Sequence, residues 1–231
     1  MPDDDNGVID VKDFIRQTLQ ITSYFLLGAI PIWMLISIYT TKEHIIYTLV
    51  CFFGSFVVLT LIHMSHKLKY QKPLNWICII LCYGLMTVGL GTFIMNTKLI
   101  TTMIVVAVTF MIWAAVLFIC WFLINNWNYP HPFKLAAIAI LGFIVVIVIF
   151  ALDTIQSWKH TMDAALAVLL CSVVILMISH VLITYDGSDI VIKDDTLLIA
   201  FVLYMDYVLI LVAIFISMIR IRNFHHLDER D

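Results

Sequence analysis

An all-α protein that crosses a lipid bilayer several times is what this sequence predicts, and three observations predict it. Hydrophobic residues make up 63 % of the 231 residues and charged residues 13 %, against about 45–50 % and about 25 % in a typical soluble domain. The apolar residues gather in long runs without a formal charge, each near the roughly 20 residues that a membrane helix needs. Within those runs the pattern is apolar throughout, as in Leu141 to Phe150, which excludes the alternating stretches of about ten residues that build a membrane β-barrel. Irregular backbone cannot face lipid, so the runs read as helices.

The uncharged runs extend from Gln17 to Thr41, His44 to His66, Pro73 to Thr97, Leu99 to Phe133, Leu135 to Leu152 and Ala164 to Tyr185. A seventh, Thr196 to Ile219, carries one charge, Asp206. The fourth run is long, but Pro130 and Pro132 stop a helix, and Trp127 and Tyr129 favour the headgroup level. The expected organisation is a short acidic cytosolic tail over residues 1–18, a single seven-helix transmembrane domain over 19–220 and a short polar tail over 221–231. The helices are expected near 19–40, 44–65, 74–96, 99–124, 134–152, 163–190 and 196–220. The first residues carry Asp3, Asp4, Asp5, Asp10 and Asp13. A cleavable signal peptide starts basic, so the first helix reads as an uncleaved signal anchor.

Lys and Arg in short loops set orientation. Lys67, Lys69 and Lys72 share the loop between the second and third runs, and no other internal loop has more than one such residue. That loop, and with it the N-terminus, is expected in the cytosol. Seven crossings then place the C-terminus outside, whereas Arg220, Arg222 and Arg230 in the tail favour the cytosol.

Other classes recede on composition. A formal net charge of −3 offers no basic surface for nucleic acid. Cys51, Cys78, Cys82, Cys120 and Cys171 all lie in apolar runs and read as small buried side chains, not as a disulfide framework or zinc cluster. No Asn-x-Ser/Thr acceptor occurs. A membrane metal hydrolase needs converging His and acidic ligands. The candidates His63, His66, His180, His225 and His226 include two in the tail, and no His-Glu-x-x-His occurs. Neither an enzyme, a cofactor nor a permanently bound metal is expected. A rhodopsin-type receptor requires an outside N-terminus, against the Lys-rich loop.

Ionisable residues inside a membrane helix are costly and therefore functional candidates. Asp206, within Leu203-Tyr204-Met205-Asp206-Tyr207, is the clearest. Asp186 lies at the end of the sixth run. With the intervening turn at Lys193-Asp194-Asp195-Thr196, and Asp195 a suitable N-cap, Asp186 and Asp206 fall at nearly equal depth, each roughly 12–17 Å from the apex. Two carboxylates sharing a low-dielectric site share a proton and titrate as a unit. Such a pair makes a proton-controlled latch or a transient site for Ca2+, which prefers oxygen ligands. The other reading is two unrelated acids on different faces. His180, inside the sixth run, reads as a local hydrogen-bonding residue before a metal ligand. Glu43, His44, Asp153, Lys159 and Asp163 read as solvated helix ends, and Gly84, Gly89 and Gly91 as points of close helix approach.

Over about Val11 to Ile221 the chain resembles the transmembrane BAX inhibitor motif family, in its Lifeguard and Golgi anti-apoptotic protein branch. Asp13-Phe14-Ile15-Arg16-Gln17-Thr18-Leu19 resembles the family's entry to its first helix, Phe-(Ile/Leu)-Arg-Lys-Val-Tyr. Lys72-Pro73-Leu74-Asn75 matches the Pro-x-Asn that opens the third helix. Asp163 to Asp186 is similar to the sixth helix with its terminal Tyr-Asp-Thr-Gln. Asp194-Asp195 through Tyr204-Met205-Asp206 is similar to the Glu-Glu-Tyr and Leu-Tyr-Leu-Asp of the last helix. The resemblance implies a BAX-inhibitor-like seven-helix bundle, and a pH-sensitive Ca2+-permeable leak channel of the endoplasmic reticulum or Golgi that lowers Ca2+ stores and restrains apoptosis. It also implies that Asp186 and Asp206 are the latch, and that the first acid of the ion pathway is Asp194, with Asp195 beside it. Its partners would be the bilayer, Ca2+ and protons, with apoptosis regulators or Ca2+-release channels besides. The chain departs from the pattern at Gly187-Ser188, where the family has Thr-Gln, and at 194 and 195, where Asp replaces Glu. Where the family often has an arginine as latch partner, near the end of the second helix, this chain offers His63, His66 and Lys67. These departures keep open an alternative: a non-conducting anti-apoptotic protein that acts through helix contacts.

Overall fold

The computed structural model describes residues 11–39, 45–65, 71, 73–94, 99–126, 129–155, 159–186 and 196–228. Among them the chain forms seven α-helices: α1 (Val11–Tyr39), α2 (Ile45–Met64), α3 (Leu74–Ile94), α4 (Leu99–Asn126), α5 (Pro132–Ile155), α6 (Lys159–Asp186) and α7 (Thr196–Asp228). All but α2 are long and apolar enough to cross a membrane, and α2 adds a shorter apolar stretch, Ile46–Ile62. The chain is an all-helical protein of the multi-pass membrane type.

The helix ends follow local chemistry. α1 begins at Val11, ahead of the expected start at 19. Asp13 sits in its first turn, where a negative charge meets the positive end of the helix dipole. An exposed 3.2 Å ion pair joins Asp13 to Arg16. Phe14 and Thr18 are buried, so these turns pack as part of the protein. Pro31 lies inside α1, a break in the backbone ladder that neighbouring helices make tolerable in a membrane. α5 opens on Pro132, the first helical position, where proline's missing N–H costs nothing. The expected extension of α6 to 190 lies outside the described residues. α7 continues past 220 to Asp228.

The chain divides into two compact units, Met1–Thr102 with Tyr185–Tyr204, and Met103–Thr184 with Met205–Asp231. Lipid is as apolar as leucine, so helices in it are held by close packing and interhelical hydrogen bonds. The first unit uses both. α3 packs against α1 and α2. Gly89 lets α2 approach: a Cβ there would stand 3.0 Å from that of Cys51. Ser55 Oγ donates to the Cys82 carbonyl at 3.3 Å, the Cys82 thiol donates to the Ser55 carbonyl at 3.5 Å, and the Thr48 and Thr92 hydroxyls meet at 2.8 Å. From α1, Trp33 Nε1 donates to the Thr87 carbonyl at 3.0 Å. The Thr87 hydroxyl in turn bonds that of Tyr204 at 2.8 Å. Phe25, Tyr83, Phe201 and Tyr204 stack into one aromatic cluster.

The second unit contains α5 and most of α4 and α6, with the later part of α7. Ser179 Oγ donates to the Pro132 carbonyl at 2.9 Å, tying α6 to the start of α5. Gly142 of α5 faces the Ser172 side chain of α6 so closely that no side chain fits there. Tyr207 donates its hydroxyl to the Val106 carbonyl of α4 at 3.1 Å, and Trp113 meets its ring edge-on at 6.4 Å.

Candidate functional site

The second unit holds an acid–base pair that links α6 to α7. Asp206 is 1 % exposed. At ~1.5 Å per residue it lies roughly 15 Å along α7 from Thr196. His180 Nδ1 approaches both carboxylate oxygens, at 2.9 Å from Oδ1 and 3.0 Å from Oδ2. With the carboxylate ionised, it only accepts, and Nδ1–H is the donor; with the carboxyl protonated, its O–H donates to Nδ1 instead. The His180 side chain is 32 % exposed.

The local sequence explains how the pair is aimed. α6 turns His180 toward α7 with help on both sides. The adjacent Ser179 is anchored to Pro132, and Thr184 Oγ1 caps the His180 carbonyl one turn on, at 2.8 Å. On α7, Asp206 lies beside Tyr207, which is anchored to Val106. Cys120 of α4, itself buried, lies within electrostatic reach of Asp206. In such a low-dielectric place a charge interacts strongly with its partner and is costly without one.

The pair can exist in three charge states. Neutral histidine with carboxylate carries −1. One added proton gives an imidazolium–carboxylate pair of net zero, and a second, on the carboxylate, gives +1. The two steps belong to the pair and not to either residue alone. The negative form attracts a cation, and the protonated form does not.

The sequence-derived site residues fall as follows. Asp206 is buried, with His180 as its hydrogen-bonding partner. Asp186 closes α6 as an exposed residue and belongs to the first unit, whereas Asp206 belongs to the second. His63 is in the last turn of α2. His66, Lys67, Asp194 and Asp195 lie outside the described residues. Among the described residues no three His, Cys, Asp or Glu side chains gather as a metal ion would require, and all five cysteines are free.

The hydrogen bond expected of His180 reaches across to Asp206 on α7. Its signal was present: an ionisable side chain inside an otherwise uncharged run. In an antiparallel helix pair, two residues meet when they are equidistant from the turn, and 180 and 206 are equidistant from 193. Lys193 opens the expected turn. The chain matches no family model, no curated protein and no solved structure.

Proposed function

We propose that this chain is a proton-responsive, Ca2+-permeable leak of an endoplasmic reticulum or Golgi membrane, and that the His180–Asp206 pair is its sensing element. In this reading seven helices span the bilayer in a BAX-inhibitor-like bundle with the N-terminus in the cytosol. Release of stored Ca2+ through it restrains apoptosis. The observation that carries the proposal is a buried carboxylate, deep in a membrane helix, bonded to a single histidine. Structural ion pairs in membranes are expensive to keep, so this one is explained best by use.

The mechanism follows from the charge states. At a pH above histidine's range the pair is negative, and a cation drawn to Asp206 offsets that charge. Protonation of His180 supplies the offset internally, so proton and cation compete. The bond between α6 and α7 also tightens when both partners are charged, which gives two states of the helix pair for a proton to choose between. Asp186, at the end of α6, and the acids Asp194 and Asp195 supply further carboxylates along the same stretch of chain.

Purified protein in Ca2+-loaded liposomes tests this. Wild type is expected to release Ca2+ faster as pH rises from about 5 to 8, across histidine's range, and Asp206→Asn to flatten that dependence. Equal, pH-independent flux in both proteins would refute the sensing role. No flux in either, with protection against apoptosis intact, would favour the non-conducting interaction protein.

A further inference from the structure

Side-chain hydroxyls in the second unit bond in two ways. Thr109, Ser172, Thr184 and Ser217 each donate to the carbonyl four residues earlier on their own helix. Such a bond satisfies the hydroxyl locally and ties its helix to nothing else. Ser179 and Tyr207 reach another helix instead. Ser179, 0 % exposed, donates from Oγ to the Pro132 carbonyl on α5 at 2.9 Å. Tyr207, 1 % exposed, donates to the Val106 carbonyl on α4 at 3.1 Å. These two are the chain neighbours of His180 and Asp206.

Consecutive residues on an α-helix point about 100° apart. His180 thus meets α7 while Ser179 meets α5, and Asp206 meets α6 while Tyr207 meets α4. A single contact leaves a helix free to roll about it, whereas two contacts in different directions fix the rotation. Rotation matters at this pair because Nδ1 stands 2.9 Å from one carboxylate oxygen and 3.0 Å from the other. A side chain ends about 5–6 Å from its helix axis, so a roll of ~10° carries it about 1 Å. A displacement of that size takes either distance past the hydrogen-bonding range, which ends near ~3.2 Å.

We infer that Ser179 and Tyr207 are positioning residues of the His180–Asp206 pair, each holding its helix at one rotation against a third helix so that imidazole and carboxylate stay in register. The inference rests on the reading of that pair as the sensing element and adds what keeps it set. The alternative is that both hydroxyls are ordinary interhelical glue, of the kind that holds membrane helices together anywhere. The two readings differ in what a lost hydroxyl disturbs. Glue lost at one point weakens the unit as a whole, whereas a lost tether disturbs the imidazole–carboxylate bond beside it.

Nuclear magnetic resonance of the full chain in lipid nanodiscs, labelled with 15N-histidine, tests this. His180→Gln identifies the ring among the eight histidines. In wild type the hydrogen shared between Nδ1 and the carboxylate is expected as one downfield, slowly exchanging resonance. Ser179→Ala and Tyr207→Phe remove only a hydroxyl, and each is expected to lose that resonance or split it. Ser172→Ala and Thr109→Val, which remove hydroxyls bonded within α6 and α4, are expected to keep it. Ser179→Cys is expected to recover it, since a thiol already donates to a helix carbonyl in this protein, from Cys82 to Ser55 at 3.5 Å. An unchanged resonance in Ser179→Ala and Tyr207→Phe would overturn the positioning role, and so would its loss in all four variants. A loss in Ser179→Cys equal to that in Ser179→Ala would assign the effect to volume and overturn it as well. The readout is independent of ion flow, so the two claims fail separately: a wild type that shows the bond but conducts without regard to pH refutes the sensing role alone.

Discussion

Asp206 and His180 depend on one another in a way that single substitutions expose. Removing the imidazole by His180→Ala leaves a carboxylate 1 % exposed with its hydrogen bond gone, and breaking a buried pair from one side costs about 3 kcal/mol or more. Removing both charges is milder, because an apolar pair of similar volume is often neutral or stabilising. His180→Leu with Asp206→Leu is therefore expected to recover most of the stability that either single substitution loses, measured by thermal unfolding in detergent. A loss in the double variant equal to the sum of the two single losses would mean that the two side chains do not interact. The asymmetry between the partners matters for function as well: His180 keeps partial access to its surroundings and Asp206 has almost none. His180→Gln, which still donates a hydrogen bond but does not titrate, is expected to keep the fold and lose the pH response.

Helices in this protein are joined by small residues and isolated hydrogen bonds rather than by a sorted apolar face, and their sensitivity to substitution follows. At Gly89 a Cβ would stand 3.0 Å from that of Cys51 and 3.6 Å from the Phe52 nitrogen and the Thr48 carbonyl oxygen. Gly89→Val is expected to push α2 from α3 and cost about 1–3 kcal/mol, the range for overpacking. By contrast, interhelical hydrogen bonds in membranes average only about 0.6 kcal/mol. Trp33→Phe, which removes one such bond to Thr87 and keeps the ring's bulk, should be tolerated with a loss of that order. A larger loss for Trp33→Phe than for Gly89→Val would reverse the ranking of packing over polar contacts. The elements themselves were legible in sequence because uncharged runs of membrane length leave the backbone no alternative to a helix. Their ends were less so. Val11 to Thr18 read as a polar tail because Asp13 and Arg16 carry charge, yet those two pair with each other on the outer side while Phe14 and Thr18 pack inward.

At the scale of the whole molecule, hydrophobic runs reveal how many helices there are but not which residues face each other across them. Asp206 is identifiable from its charge alone, because an acid in a run such as Leu203–Tyr207 is costly to place in a membrane. Its partner is not legible in the same way, because residues 180 and 186 lie on one helix and a small change in where the turn falls decides which of them matches the depth of 206. Topology is the next property that sequence leaves balanced, with Lys67, Lys69 and Lys72 set against Arg220, Arg222 and Arg230. Seven crossings with a cytosolic N-terminus predict that a glycosylation acceptor added after Asp231 is modified in microsomes, and that one added before Met1 is not. Modification at neither end would mean an even number of crossings. The most direct test of the central claim is Ca2+ efflux from proteoliposomes across about pH 5 to 8, with His180→Gln compared to wild type. The predicted result is a titration in wild type that is absent from the variant. A variant that conducts and titrates as wild type does would show that the histidine–aspartate pair does not sense protons.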